Sequence, residues 1–195
     1  MTQNEENEII ECVLAGDRDA YASLVDAYKS AIFNLAFRMT GSYQDANDLS
    51  QETFIRAYRN LRHFDPGKKF FTWIYTIALN IIRNHLKSSP ERTARIAEMD
   101  HPPSDPVDPE NPEGIFLDRE KAQLLEICLQ KLSSELKEAV VLRYYQDLSF
   151  DEIATITDAS VSAVKMRVYR GLERLRELML ERVRLTSRRA PPGPG

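Results

Sequence analysis

SYQDANDLSQETFIRAYRNLRHFDPGKKFFTWIYTIALNIIRNHLK, residues 42–87, reads as two helices joined by a tight basic loop. Ser42 with Asp45 three residues on has the form of a capping box. Leu49, Phe54, Ala57, Tyr58 and Leu61 then recur at helical spacing until Asp65-Pro66-Gly67 stops the chain. A second helix begins near Phe70 and carries one polar stripe of Thr72, Thr76, Asn80, Arg83, Asn84 and Lys87 on an otherwise apolar and aromatic surface. The first helix opens with acids and amides (Asp45, Asn47, Asp48, Gln51, Glu52), whereas no Asp or Glu lies between Pro66 and Pro90. One end of this hairpin suits a cationic partner; the other tolerates a polyanion beside aromatic rings.

Outward from the hairpin, the expected pattern is helical throughout. Residues 4–14 form a short helix ending at Gly16, and Asp17 or Asp19 opens a longer one closed by Thr40-Gly41. These four helices make a first all-α domain, residues 1–87. Residues 88–114 hold six prolines among acids and read as a flexible, acidic, proline-rich linker. Apolar helical periodicity returns from Phe116. Ser149 with Glu152 is a second capping box, opening a short helix, and Ser160 caps a long one whose expected buried seam is Val161, Val164, Val168, Leu172, Leu175 and Met179. A short helix, a tight turn and a basic helix form a helix-turn-helix. This second domain spans 115–184, and the tail 185–195 is expected to be disordered.

Charge is partitioned rather than balanced. The chain of 195 residues has net charge −4, yet residues 89–120 hold nine acids against three bases, and residues 159–195 hold nine bases against three acids. The local field, not the sum, governs nucleic-acid binding. Cys12 and Cys128 each lie in an apolar helical pattern and read as buried free thiols. The three histidines have no ligand spacing, and nothing in the chain offers a metal site, a cofactor motif, paired catalytic carboxylates or a nucleophile set. No segment resembles a signal peptide or reaches the roughly 20 apolar residues of a membrane span. The expectation is a non-enzymatic, cytoplasmic protein without membrane insertion.

Two surfaces carry the binding chemistry. On the long C-terminal helix Ser162, Lys165, Met166, Arg167 and Arg170 lie off the seam, where a recognition helix meets base edges and phosphates; a solvated basic face would have the same pattern. At the loop, Lys68 and Lys69 stand among Phe64, Phe70, Phe71 and Trp73, the mixture that single-stranded DNA binding uses, although rings beside a loop also serve as core.

The stretches DANDLSQETFIRAYRNLRHFDPGKKFFTWIYTIALNIIRNHLK and LSSELKEAVVLRYYQDLSFDEIATITDASVSAVKMRVYRGLERLRE resemble the core-binding and promoter-reading parts of bacterial extracytoplasmic-function sigma factors. The resemblance covers most of Asp17–Leu178, in the family's order. It implies that Asp45, Asp48, Gln51 and Glu52 dock on core RNA polymerase. The loop with Arg62, His63, Phe64, Lys68 and Lys69 would hold a base flipped from the melted minus-ten element, and Trp73, Thr76, Asn80, Arg83 and Lys87 would line the path of that strand. Ser162, Lys165, Met166, Arg167 and Arg170 would read the minus-thirty-five element of promoter DNA. The family further implies an anti-sigma factor as partner, and a linker that threads the channel later occupied by RNA. Asp158 and Ser162 stand where the family usually has glycine. The alternative is a helix-turn-helix regulator acting without polymerase, which leaves the acid-fronted hairpin unexplained.

Overall fold

A computed structural model describes residues 1–88 and 112–189. Among these residues the chain is entirely helical: α1 (Gln3–Leu14), α2 (Tyr21–Thr40), α3 (Tyr43–Asn60), a 3-10 turn (Leu61–His63), α4 (Phe70–Ser88), α5 (Pro112–Gln130), α6 (Ser134–Tyr144), α7 (Phe150–Thr157) and α8 (Val161–Arg189). Most of the linker expected over 88–114 lies outside the described residues.

Local chemistry sets the helix ends. Thr2 and Glu5 form a complete capping box at α1, and Ser149 with Glu152 forms another at α7. Gly41 ends α2 in the left-handed region at φ 74°, its N–H donating to the Phe37 carbonyl oxygen. Asp17 Oδ1 accepts from the Asp19 and Ala20 amides just before α2. Ser160 Oγ accepts from the Ala163 amide at the start of α8.

At Ser42 the box is only half made: its hydroxyl accepts from the Asp45 amide, while the Asp45 carboxylate turns to His85, 3.5 Å away. Two further boundaries differ from the sequence expectation. Helix α5 begins at Pro112 rather than near Phe116, because proline suits the first helical position, where no N–H is needed. Helix α8 continues to Arg189 instead of stopping near residue 184, since no proline or glycine intervenes before Pro191.

The N-terminal domain, α1–α4, packs Leu24, Ile32, Leu35, Met39, Phe70, Ile74, Leu79 and Ile82 into its centre, all essentially inaccessible to water. The C-terminal domain, α5–α8, is built around Leu129, Val141, Leu142, Ile153, Val164 and Val168. Its seam on α8 corrects the expected one: Gly171, Leu175 and Leu178 face inward, whereas Leu172 is exposed and Met179 half-buried. Gly171 faces Val140 and the backbone of Leu136, a close approach that only a residue without Cβ allows. Of the cysteines, Cys128 is buried as expected; Cys12 is exposed, on the outer side of α1, and both thiols are free.

The two domains are docked. Arg38 on α2 pairs with Glu126 on α5 at 2.9 Å, and its guanidinium lies 3.6 Å above the Tyr145 ring. Gln130 Nε2 donates to the Arg38 carbonyl, and Lys137 Nζ donates to the Met39 carbonyl. The C-terminal domain thus supplies partners to carbonyls of the last turn of α2, groups that a helix end leaves unpaired.

Candidate nucleic-acid interface

The loop between the 3-10 turn and α4 owes its shape to Asp65. Its Oδ1 accepts from the Gly67 amide at 2.9 Å, and its carbonyl accepts from the Lys68 amide at 2.9 Å. Helix α1 braces the same loop from outside: Asn7 Nδ2 donates to the Pro66 carbonyl and Gln3 Nε2 to the Lys68 carbonyl. Arg62, His63, Lys68 and Lys69 are exposed around this rim. Phe64 is not. It is 7% exposed, its ring against Phe70 and Trp73 with centroids 5.6 and 5.3 Å away. The loop rings therefore form a core layer, with Phe64 inside it and Trp73 half-open on top.

Along α4 the stripe continues from Trp73 through half-buried Thr76 to exposed Asn80, half-buried Arg83 and exposed Lys87. Thr76 donates its hydroxyl to the Thr72 carbonyl. Two cations of this surface meet carboxylates of the other domain: Lys69 Nζ lies 2.9 Å from Glu152 Oε1, and Arg83 holds Glu138 in a two-pronged pair at 2.9 and 2.5 Å. Glu138 strengthens the charged state of Arg83. The bond from Lys69, together with the Ser149 cap, holds the Glu152 carboxyl below the usual carboxylate range.

On α3, Asp48 and Gln51 are exposed and Glu52 is half-exposed, paired with Arg56 one turn on. Asp45, read from sequence as part of this acid face, is buried at 6% exposure and faces His85. Two residues that the polar pattern did not single out join the face: Ile55 and Tyr58, both exposed. An acid rim with an apolar centre is what a protein interface offers.

On α8, Ser162, Lys165, Met166 and Arg170 are exposed, and Arg167 is partly covered with Glu135 3.6 Å away. The Phe150 ring lies beneath both Lys165 and Arg143, which steadies the Lys165 stem. Tyr169, 66% exposed beside Arg170, belongs to the same face. Sequence reading passed over it because a tyrosine inside an amphipathic helix gives no polar signal. Asp158 closes α7 at φ 52°, adopting the left-handed turn for which glycine is usual. Among the described residues no group of three or more His, Cys, Asp or Glu could hold a metal ion, and no helix is long and apolar enough to cross a membrane.

Known proteins share this arrangement. Residues 24–90 match the family described as Sigma-70 region 2, and residues 122–175 match Sigma-70, region 4. The chain is 35% identical to the RNA polymerase sigma-H factor of Pseudomonas aeruginosa, over 89% of this chain and 93% of that one. It is 36% identical to the ECF RNA polymerase sigma factor SigW of Bacillus subtilis, over 86% and 93% respectively. The fold is that of CnrH in its complex with the cytosolic domain of CnrY (TM-score 0.65, 23% identity, 90% of this chain and 97% of that one). The sigma factor RpoE of Bartonella quintana, solved with the anti-sigma factor NepR, also shares it (TM-score 0.62, 22% identity, 82% and 96%).

Proposed function

Because the chain belongs to the extracytoplasmic-function sigma factors of RNA polymerase, we propose that the surfaces above divide the work of promoter-dependent initiation among named residues. The factor acts in the cytoplasm and catalyses no reaction itself; the polymerase makes the bonds. Asp48, Gln51 and Glu52 of α3 dock on a basic surface of core polymerase, with Ile55 and Tyr58 supplying apolar contact. The loop and α4 carry the minus-ten strand: Arg62, His63, Lys68 and Lys69 at the rim, then Trp73, Thr76, Asn80, Arg83 and Lys87 along the helix. On α8 Ser162, Lys165, Met166, Arg167 and Arg170 read the minus-thirty-five duplex. The domains, α1–α4 and α5–α8, are joined by the acidic linker between Ser88 and Pro112, and an anti-sigma factor holds the chain inactive.

The observation that carries this reading is the pairing, in one chain, of an acid-fronted α3 and acid-free α4 with a basic helix-turn-helix. Neither alone requires a polymerase; a regulator working without one has no use for the first. Strand capture and duplex reading should separate in a permanganate assay on holoenzyme, which scores unpaired thymines. Lys68→Ala with Lys69→Ala should reduce opening while closed-complex binding persists. Arg170→Ala should weaken closed-complex binding, with a smaller salt slope if it neutralises a phosphate. Unchanged promoter binding by Arg170→Ala would overturn the placement of the reading face.

A further inference from the structure

We propose that the free chain is self-inhibited at the strand-capture step alone: Glu138 and Glu152 of the C-terminal domain occupy Arg83 and Lys69 as stand-ins for DNA phosphates, while the duplex-reading face of α8 stays open. This rests on the reading of Lys69 and Arg83 as part of the strand path. Both cations lie on the α4 side of the hairpin, about 20 Å apart along the helix, and each is met by a carboxylate from the other domain. A carboxylate on a guanidinium fork has the geometry and charge of a phosphate on the same fork. Glu138 is itself only 4% exposed and Glu135 adds its field at Arg83, so the site is filled by a preorganised acid rather than brushed by a surface one. Between the two pairs, the Tyr75 hydroxyl donates to Gln146 Oε1 at 2.7 Å, closing the same face.

The opposite surface is treated differently. Ser162, Lys165, Met166, Tyr169 and Arg170 remain exposed in the docked chain. Docking is also held at the last turn of α2, through Arg38, Glu126, Gln130 and Lys137, whose bonds there involve neither Lys69 nor Arg83. The chain therefore has two states that differ in one activity: docked, it can meet duplex but not hold a single strand; open, it can do both. Core polymerase, by engaging the two domains at separate places, would shift the population to the open state.

The test uses the full-length chain, with one spin label on exposed Cys12 and another on Thr155→Cys; Cys128 is buried and takes none. Wild type should give a single short distance that lengthens when core polymerase is added. Glu138→Gln/Glu152→Gln, which preserves the capping residue type at 152, and Arg38→Gln, which leaves the strand face untouched, should each lengthen it without polymerase. Both should bind a fluorescein-labelled random-sequence single-stranded DNA roughly tenfold more tightly, as expected when a competent state of about a tenth of the population becomes dominant. Neither should change binding of the same DNA as duplex by more than about twofold. A wild-type distance that is already long, labels that stay together in both variants, or an equal gain for duplex would each overturn the proposal. If the labels separate and the gain appears but survives Lys69→Ala/Arg83→Ala in the opened background, docking stands and the strand-path reading of these two residues fails.

Discussion

A methyl group placed on Gly171 would lie 2.6 Å from Val140 Cγ2 and 3.3 Å from the Leu136 carbonyl oxygen, so at this position backbone packs directly on a neighbouring helix. Gly171→Ala should therefore lower the denaturant midpoint of the full chain, by about 1–3 kcal/mol of overpacking, although alanine is the better helix former by about 1 kcal/mol. A rise in stability would show that α6 and α8 are less closely apposed. Lys137 makes a second prediction. Its ammonium is buried with Glu126, Gln130 and the Met39 carbonyl around it, and burial pulls its pKa down to about 8 from 10.5. Between those values the folded chain holds fewer protons than the unfolded one, so this group makes stability rise with pH across that window. Lysine side-chain NMR should find one resonance titrating near pH 8, moving back up in Arg38→Gln; a Lys137 titration at the ordinary value in wild type would refute the buried placement. Neither residue was legible from sequence. Glycine carries no hydropathy, so periodicity assigned the seam to Leu172, and a lone lysine in SELKEAVVLRY reads as surface. Asp45 misled for the converse reason: an acid near a helix start is usually solvated, and its turn toward His85 depends on α4 packing alongside.

Among the elements, the α3–α4 hairpin was the most legible, because its Ser42 N-cap, its Asp65-Pro66-Gly67 stop and its long apolar period point to the same two helices. Its aromatic loop was the least. A ring signals burial and stacking equally well, and only packing assigns Phe64 to the core and leaves Trp73 half-open. Trp73→Ala should accordingly have two effects: a loss of thermal stability from the removed contacts with Phe64 and Phe70, up to the lower end of the about 3–5 kcal/mol seen for fully buried rings, and impaired strand opening in holoenzyme. A variant with full stability would mean that the ring is not packed as described. On α3, Asp48→Lys/Glu52→Lys should abolish capture of core polymerase while leaving the melting curve unchanged, since both side chains reach solvent and like charge across an interface costs several kcal/mol. Retained capture would put the docking face elsewhere. The same helix shows why the sequence-derived acid face was incomplete: Ile55 and Tyr58 are apolar residues on an exposed side, and a periodicity search looks for apolar residues only to bury them.

At the scale of the molecule, the order of two helical domains was readable from composition and turn signals, but their docking was not, because it depends on pairs 55 to 98 residues apart in sequence. No local pattern marks Glu138 as the partner of Arg83. The docked arrangement should also respond to acid. Lys69 and the Ser149 cap depress the Glu152 carboxyl, so the docked state holds fewer protons there, and docking should weaken as pH falls through that lowered pKa. The Cys12 to Thr155→Cys distance, followed from neutral pH to about pH 3, well below the ordinary glutamate value of about 4.3, should lengthen more in wild type than in Glu152→Gln; equal responses would remove Glu152 from the latch. All of this presupposes a chain that works with polymerase. Run-off transcription with purified core polymerase and a library of promoter fragments tests that most directly. Addition of this protein should yield discrete, promoter-dependent transcripts that core alone does not make and that Asp48→Lys/Glu52→Lys fails to support. If the protein binds DNA fragments yet core polymerase initiates no differently in its presence, it is a regulator and not a sigma factor.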